Sequence, residues 1–308
     1  MILLLETVHP EAHSILETAD AVELVEDLAS FDPGAARRGV RAVVTRGRGR
    51  VDRTLIAALP DLVVVARCGA GLDNVDTQAA AAAGVSVVHA PGLTTSAVAE
   101  HALMLMLALA RRVVEVDAAV KAGSWNIRDG FESTELRGKR LGIVGLGAIG
   151  TRLAGFGRML GMDVVGATRT PRGTDVERMD LDELLTTSDV VQLCVPLTGS
   201  TRSMIGVAEL ASMRPGALLV NTSRGAVVDH AALAMALTRR SLGGYATDVW
   251  EPEPPDVDDQ LLADRRVLVT PHVAGLTDVT YREICVHPAE AVTAILSGVA
   301  PDPRWVLA

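Results

Sequence analysis

Short aliphatic runs alternate with helical patterns along the whole chain, and this alternation restricts the fold more than any other feature. A strand, a helix and a second strand in succession pack as a parallel pair joined by a right-handed crossover. In the second half, six such runs fall at residues 141–144, 163–167, 190–195, 217–221, 244–249 and 267–270, with helical segments between them. Six strands connected in this way predict the order 3-2-1-4-5-6 of a doubly wound sheet. The first half offers strands at 2–5, 22–25, 42–45, 62–66 and 85–89, with amphipathic segments at 52–59 and 76–83. These read as a smaller doubly wound domain.

Two further helices organise the chain. One is predicted over 97–121, with cap candidates at 94–96 and Gly123 as its terminator. Its apolar residues spread widely around the axis, which predicts burial on most sides, between domains or at a subunit interface. The other, over 278–296, follows the last strand and is expected to return to the first domain. The expected domains are therefore 1–96 plus 278–308, and 97–277 inserted between them, with a ligand cleft between the two lobes. At 308 residues each lobe is large enough to bury its own core.

Composition narrows the function class. A net charge of −9 argues against a nucleic-acid or membrane-surface partner, which requires a basic face. Cys68, Cys194 and Cys285 are far apart in sequence without metal-ligand spacing. They read as reduced thiols of an intracellular protein, with no metal expected. The start Met-Ile-Leu-Leu-Leu lacks a basic flank and reads as a buried strand rather than a signal peptide. The apolar stretch 97–110 carries Glu100 and His101 and is too short and polar to span a bilayer. A cytoplasmic location is expected.

The most informative local motif is Gly145-Leu146-Gly147-Ala148-Ile149-Gly150, directly after a strand and at the start of a helix. Gly145 permits a tight turn, Gly147 lets a pyrophosphate approach the backbone, and Gly150 packs helix against strand. The helix N-terminus adds unpaired N–H groups and positive dipole. This predicts a dinucleotide cofactor. An acid binding both adenosine ribose hydroxyls should end the second strand. Asp163 begins that strand instead, and its end carries Thr168 and Arg169, with Arg172 nearby. A hydroxyl and arginines suit a 2′-phosphate, so NADP is expected to be preferred over NAD.

Ligands in open α/β sheets bind beyond the carboxyl ends of the strands. Past three successive strands in the second half stand Arg224, then Asp248 and Glu253, then His272. An arginine can clamp a carboxylate by a bidentate pair. A histidine can protonate a developing alkoxide near neutral pH, and a neighbouring carboxylate can orient its ring. The set suits hydride transfer to the 2-position of a keto acid. In the first half, Arg46, Arg48 and Arg50 alternate after a strand. In an extended segment they would point the same way, toward an anionic group.

Together, residues 145–150, 221–229, 248–254 and 270–275, with Gly69-Ala-Gly71-Leu-Asp73-Asn-Val-Asp76 and Ala97-Val-Ala-Glu100-His101, resemble the D-isomer-specific 2-hydroxyacid dehydrogenases. That family includes phosphoglycerate dehydrogenases and glyoxylate/hydroxypyruvate reductases. The resemblance implies an α/β fold of two doubly wound lobes, a flavodoxin-like substrate domain and a Rossmann NAD(P)-binding domain. It implies that Arg224 binds substrate, His272 is the acid/base and Glu253 its partner. It further implies that Asp248 holds the nicotinamide carboxamide, and that the backbone of Ala70 and Gly71 binds the substrate carboxylate with Arg224. Ala148, Ile149, Cys194, Pro196 and Thr222 complete the expected cofactor contacts. Thr94 and Cys194 depart from the family's frequent Asn and His. Formate dehydrogenases carry Gln where Glu253 stands, and that activity is set aside. Family members are commonly dimers, so a homodimer is expected. Two other readings compete: a nucleotide-sensing corepressor module, disfavoured by the absence of tails beyond the domains, and a phosphite-type oxidoreductase.

Overall fold

A computed structural model describes residues 1–170 and 173–307. The chain divides into two compact units, Met1–Thr94 with Gly275–Ala308, and Thr95–Ala274.

The first unit runs β1 (Ile2–Leu4), α1 (Pro10–Glu17), β2 (Val22–Leu24), β3 (Ala42–Thr45), α2 (Arg53–Ala58), β4 (Val64–Arg67), α3 (Thr77–Ala82) and β5 (Ser86–Val88). Its five strands are parallel in the order β2-β1-β3-β4-β5, the flavodoxin-like order. Both faces of the central strands are covered, so the strands read as unbroken apolar runs rather than alternating ones. Side chains still alternate between two cores. Ile2 and Leu4 join one core, and Leu3 and Leu5 the other, with Leu55 and Ile56 of α2.

The connection between β1 and β3 reverses the direction of winding, and one buried acid occupies that point. Glu6, 4% exposed, follows β1. Its carboxylate accepts from the N–H groups of Arg46 (3.0 Å) and Gly49 (2.6 Å). These bonds bend the segment after β3. Arg46 turns onto Tyr281, donating to its hydroxyl at 3.0 Å, while Arg48 and Arg50 are exposed. The expected row of three arginines on one side therefore does not form. The alternation needs an extended backbone, and the buried carboxylate bends it.

The second unit opens with α4 (Thr95–Arg111) and α5 (Val113–Lys121). The single helix expected over 97–121 is thus two. Arg112 takes a left-handed conformation, φ 52°, between them. The Ala110 carbonyl leaves the helical ladder and accepts from Thr134 N–H at 2.9 Å. The Arg112 side chain is tied to Glu115, to the Glu132 carbonyl and to the Phe131 ring. Those partners are remote in sequence, except Glu115, so no local signal marks the break. The expected burial also fails for the second half: α5 has no buried residue, and Val113, Val114 and Trp125 are exposed.

There follow β6 (Arg140–Val144), α6 (Ala148–Met159), β7 (Asp163–Ala167), β8 (Glu177–Arg178), α7 (Leu181–Thr187), β9 (Val190–Leu193), α8 (Val207–Ser212), β10 (Ala217–Asn221), α9 (His230–Thr238), β11 (Leu242–Thr247), α10 (Gln260–Ala263) and β12 (Val267–Val269). The parallel sheet has the order β12-β11-β10-β9-β6-β7-β8. Counted from β6 this is 3-2-1-4-5-6-7, a Rossmann sheet with one added strand. The run at 190–193 is therefore fourth, not third as its place among the six runs predicts. The third strand is β8, two exposed charged residues with no aliphatic signal. After β12 the chain returns to the first unit as α11 (Asp278–Leu296), which packs on α1 and β4. In the second unit the winding reverses between β6 and β9, so the crevice beyond their carboxyl ends is the ligand position in such a sheet.

Candidate active site

Gly145 and Cys194 stand at that reversal. Gly145 has φ +103°, and a Cβ there would come within 2.5 Å of the Cys194 carbonyl oxygen. Its N–H donates to the Ala167 carbonyl at 2.8 Å, which closes the turn against β7. A Cβ on Gly150 would overlap the Gly145 carbonyl oxygen and lie 3.1 Å from Ile143 Cγ2, so helix and turn touch there. Gly147 differs: a Cβ would meet nothing within 4 Å. It caps α6 in an extended conformation, with open space before a helix end whose first N–H groups lack intrahelical acceptors. Of the three glycines of this turn, Gly147 alone has open space where a Cβ would sit. The cradle fits a pyrophosphate.

Beyond β7, Thr168 donates to the Thr170 carbonyl at 3.2 Å and Arg169 to Ser200 at 3.0 Å. Asp163, at the opposite end of β7, is bonded to Arg140 at 2.7 Å. Asp175 is held by Arg158, whose hydrogen bond keeps its carboxyl below the usual range. Arg172 lies outside the described residues. Beyond β9, burial pushes the Cys194 thiol up to about 12, so it is no nucleophile at neutral pH. The Pro196 carbonyl accepts from Thr201, and Thr222 accepts from the buried Gln192 amide at 3.1 Å.

The second cluster sits beyond β10, β11 and β12. Asn221, fully buried, accepts from the N–H and hydroxyl of Ser223 and donates to the Arg224 carbonyl at 2.9 Å. It thereby shapes the turn that presents Arg224. Gly225 lets this turn press on the next one, since a Cβ would overlap the Trp250 carbonyl and lie 2.7 Å from Glu251 N. Trp250 N–H donates to Glu253 Oε1 at 3.0 Å, and Trp250 Nε1 donates to Asp259 at 3.1 Å. The acidic, proline-rich stretch 251–259 is thus tied down at both ends.

Glu253 Oε2 faces His272 Nδ1 at 2.9 Å. Burial alone would raise the Glu253 carboxyl. The His272 hydrogen bond and charge, the Trp250 N–H and the nearby Arg224 outweigh it and hold the carboxyl below its usual value. An ionised carboxylate only accepts, so His272 Nδ1 carries the proton and Nε2 is left to face a ligand. His272 has φ 56°, a left-handed conformation. Asp248, 1% exposed, accepts from the N–H groups of Val273 (2.9 Å) and Ala274 (2.8 Å) and from the Thr270 hydroxyl (2.6 Å). Those bonds use three of about four acceptor positions on a carboxylate. One remains, on Oδ2.

Arg224, Asp248, Glu253 and His272 are thereby gathered at one edge of the second unit's sheet. Ala70 and Gly71 belong to the first unit, just after β4. Gly69 there has φ +142°, its carbonyl accepts from Ala90 N–H, and the Ala70 carbonyl accepts from His89 Nδ1 at 3.1 Å. The N–H groups of Ala70 and Gly71 have no acceptor among the described residues. Sequence reasoning assigned no part to Asn221, His101 or Thr270. Asn221 opens the 221–229 motif and His101 closes the signature at 97–101, so both were in view without a partner. Among the described residues no group of His, Cys, Asp and Glu is arranged to hold a metal, and no helix is long and apolar enough to cross a membrane.

Residues 103–274 match the family model described as D-isomer specific 2-hydroxyacid dehydrogenase, NAD binding domain. A glyoxylate reductase from Aeropyrum pernix is 38% identical over 276 residues, covering 86% of this chain and 82% of that enzyme. A D-3-phosphoglycerate dehydrogenase from Archaeoglobus fulgidus is 38% identical over 263 residues, 84% of this chain, and the match spans only half the length of that relative. An NADPH-dependent glyoxylate/hydroxypyruvate reductase from Sinorhizobium meliloti, solved with NADP and malonate, superposes with a TM-score of 0.87 at 30% identity, over 98% of this chain and 96% of that one. These names favour neither a corepressor module nor a phosphite oxidoreductase. The two parallel-sheet units, the glycine cradle, the cluster beyond β10 to β12 and these likenesses agree: the chain belongs to the D-isomer specific 2-hydroxyacid dehydrogenases, a family of NAD(P)-dependent oxidoreductases of 2-hydroxy and 2-keto acids.

Proposed function

We propose that the chain interconverts a small 2-keto acid and its 2-hydroxy acid, with Arg224 binding the carboxylate and the His272–Glu253 pair moving the proton. The His272 Nδ1 to Glu253 Oε2 bond of 2.9 Å, with Arg224 near enough to act on Glu253, carries this reading. When bound, the nicotinamide supplies or accepts the hydride. In reduction, His272 Nε2–H gives its proton to the oxygen on C2 as the C–O double bond opens. In oxidation, neutral Nε2 takes that proton. Glu253 remains ionised and steadies the charged ring. In the first unit, the N–H groups of Ala70 and Gly71 form a pair suited to an anion.

Gly145, Gly147 and Gly150, with the N–H groups of Ala148 and Ile149, hold the cofactor pyrophosphate. Cys194, Pro196 and Thr222 line the adjoining wall, and the remaining acceptor of Asp248 takes the carboxamide. NADP(H) is preferred over NAD(H). Arg169 and Thr168 stand beyond β7 with no acid following them before Asp175, which Arg158 occupies. The Sinorhizobium meliloti relative, NADPH-dependent by name, supports the same choice. The protein forms a homodimer through the apolar surface of α4 and α5, where Met104, Leu107, Val113 and Val114 are exposed. The test is NAD(P)H oxidation with a panel including glyoxylate, hydroxypyruvate and pyruvate, for the wild type and His272→Ala. Turnover of no 2-keto acid, or full turnover by His272→Ala, rejects the reading.

A further inference from the structure

Three bonds run from residue 248 to the turn that carries His272. The Asp248 carboxylate takes the N–H groups of Val273 and Ala274, and the Asp248 carbonyl takes His272 N–H at 2.8 Å. A non-glycine residue in the left-handed region costs free energy and persists only where its surroundings hold it. The carboxylate itself is held from the other side. Thr270 Oγ1 lies 2.6 Å from Asp248 Oδ1, and a hydroxyl has one proton to give. That proton goes to the carboxylate. His101 Nε2 lies 2.9 Å from Thr270 Oγ1, which can then only accept. His101 therefore carries its proton on Nε2 and donates to Thr270, with Asp248 Oδ1 at 3.4 Å as its next neighbour. A directed chain results, from His101 on α4 to Thr270 after β12, to Asp248 after β11, to the turn of His272.

We propose that His101 and Thr270 are positioning residues for the acid/base histidine, acting through Asp248 rather than on substrate or cofactor. The inference rests on the reading of His272 as the acid/base. The chain fixes the rotation of the Asp248 carboxylate, with Oδ1 toward Thr270 and Val273 and Oδ2 toward Ala274, and leaves Oδ2 one acceptor short of full. Losing a link frees the carboxylate to rotate and the turn to leave the left-handed conformation. His272 then loses its aim, and small misplacements of a reacting group cost roughly ten- to a hundredfold in rate.

The experiment compares His101→Leu with His101→Gln, and Thr270→Val with Thr270→Ser, in the purified full chain. The Gln amide can donate as the imidazole Nε2–H does, and Ser keeps the hydroxyl. The expected result is a kcat lower by roughly tenfold or more for the Leu and Val variants, with recovery to within about threefold for Gln and Ser. The NADPH dissociation constant, read by nucleotide fluorescence, is expected to change less than kcat does, because the carboxamide is one of several proposed cofactor contacts. Wild-type kcat in His101→Leu and Thr270→Val overturns the proposal, as does equal loss in all four variants. A loss borne by NADPH affinity alone also overturns it. If Thr270→Val does not fold, the His101 pair decides. His272→Ala assayed alongside separates the two claims. Full turnover in that variant rejects the acid/base reading. Its inactivity beside an unaffected His101→Leu rejects only the positioning chain.

Discussion

Substituting alanine at two glycines of the 145–150 turn should produce two different failures. At Gly150 the added methyl would overlap the Gly145 carbonyl oxygen and press on Ile143 Cγ2 at 3.1 Å. Neither neighbour is the end of a flexible side chain, so α6 must move off the turn. Overpacking of this kind costs about 1–3 kcal/mol. In a domain of this size each kcal/mol lowers Tm by about 2–4 °C. At Gly147 the methyl meets no protein atom within 4 Å, and the backbone is extended rather than left-handed, so stability should stay within about 0.5 kcal/mol. The same methyl would occupy the space proposed for the pyrophosphate. Displacing the phosphates from one or two charge-assisted N–H bonds, each worth about 1.5–3 kcal/mol, weakens binding by roughly ten- to ten-thousandfold. The assay is a thermal melt and an NAD(P)H fluorescence titration on each variant. Gly150→Ala should lose both stability and affinity, and Gly147→Ala affinity alone. Unchanged cofactor affinity in a folded Gly147→Ala protein would refute the placement of the pyrophosphate before α6.

Other perturbations test the remaining parts. Arg224→Ala should lower kcat/KM by about a hundredfold or more, the loss of a charge-assisted bidentate contact, while cofactor affinity stays near normal; a near-normal kcat/KM contradicts its role. Glu253 is held below the carboxylate value of 4.5, so its contribution to the His272 pair is fully present above that pH and is lost as pH falls through the lower folded value. A carbon-13 carboxyl titration with a Glu253 midpoint above 4.5 would contradict this. The preference for NADP(H) should be about tenfold in kcat/KM, should erode with salt, and should reverse in Thr168→Asp with Arg169→Ala; a clear wild-type preference for NAD(H) rejects it. Val113→Glu with Val114→Glu should convert a dimer to a monomer in light scattering, because both side chains are exposed in the single chain; a wild-type monomer at micromolar concentration rejects the interface.

Much of the candidate site was legible because its parts are local. The glycine turn needs only six consecutive residues, and each glycine's need is steric, so residue type and spacing reveal it. Arg224, Glu253 and His272 follow strands, and strand ends are readable from aliphatic runs. The failures have a common cause. The strand β8 is two exposed charged residues, a strand by its pairing with β7 and not by any aliphatic signal. The break at Arg112 is made by Thr134, Phe131 and Glu132, some twenty residues ahead. The bend at Arg46 is made by Glu6, forty residues behind.

Hydrophobic period and glycine placement, which are properties of neighbouring residues, thus determined by themselves that this chain forms two parallel α/β sheets, where the glycine turn opens before α6 and which three groups stand past the later strands. Tertiary structure alone decided how those groups are held. Asn221 shapes the Arg224 turn, Trp250 and Gly225 set Glu253, and His101, Thr270 and Asp248 brace the left-handed turn of His272. A hydrogen bond has direction and a reach of about 3 Å. Its partners here come from strands and helices that only the sheet brings together, and nothing in the spacing of residues along the chain encodes that meeting.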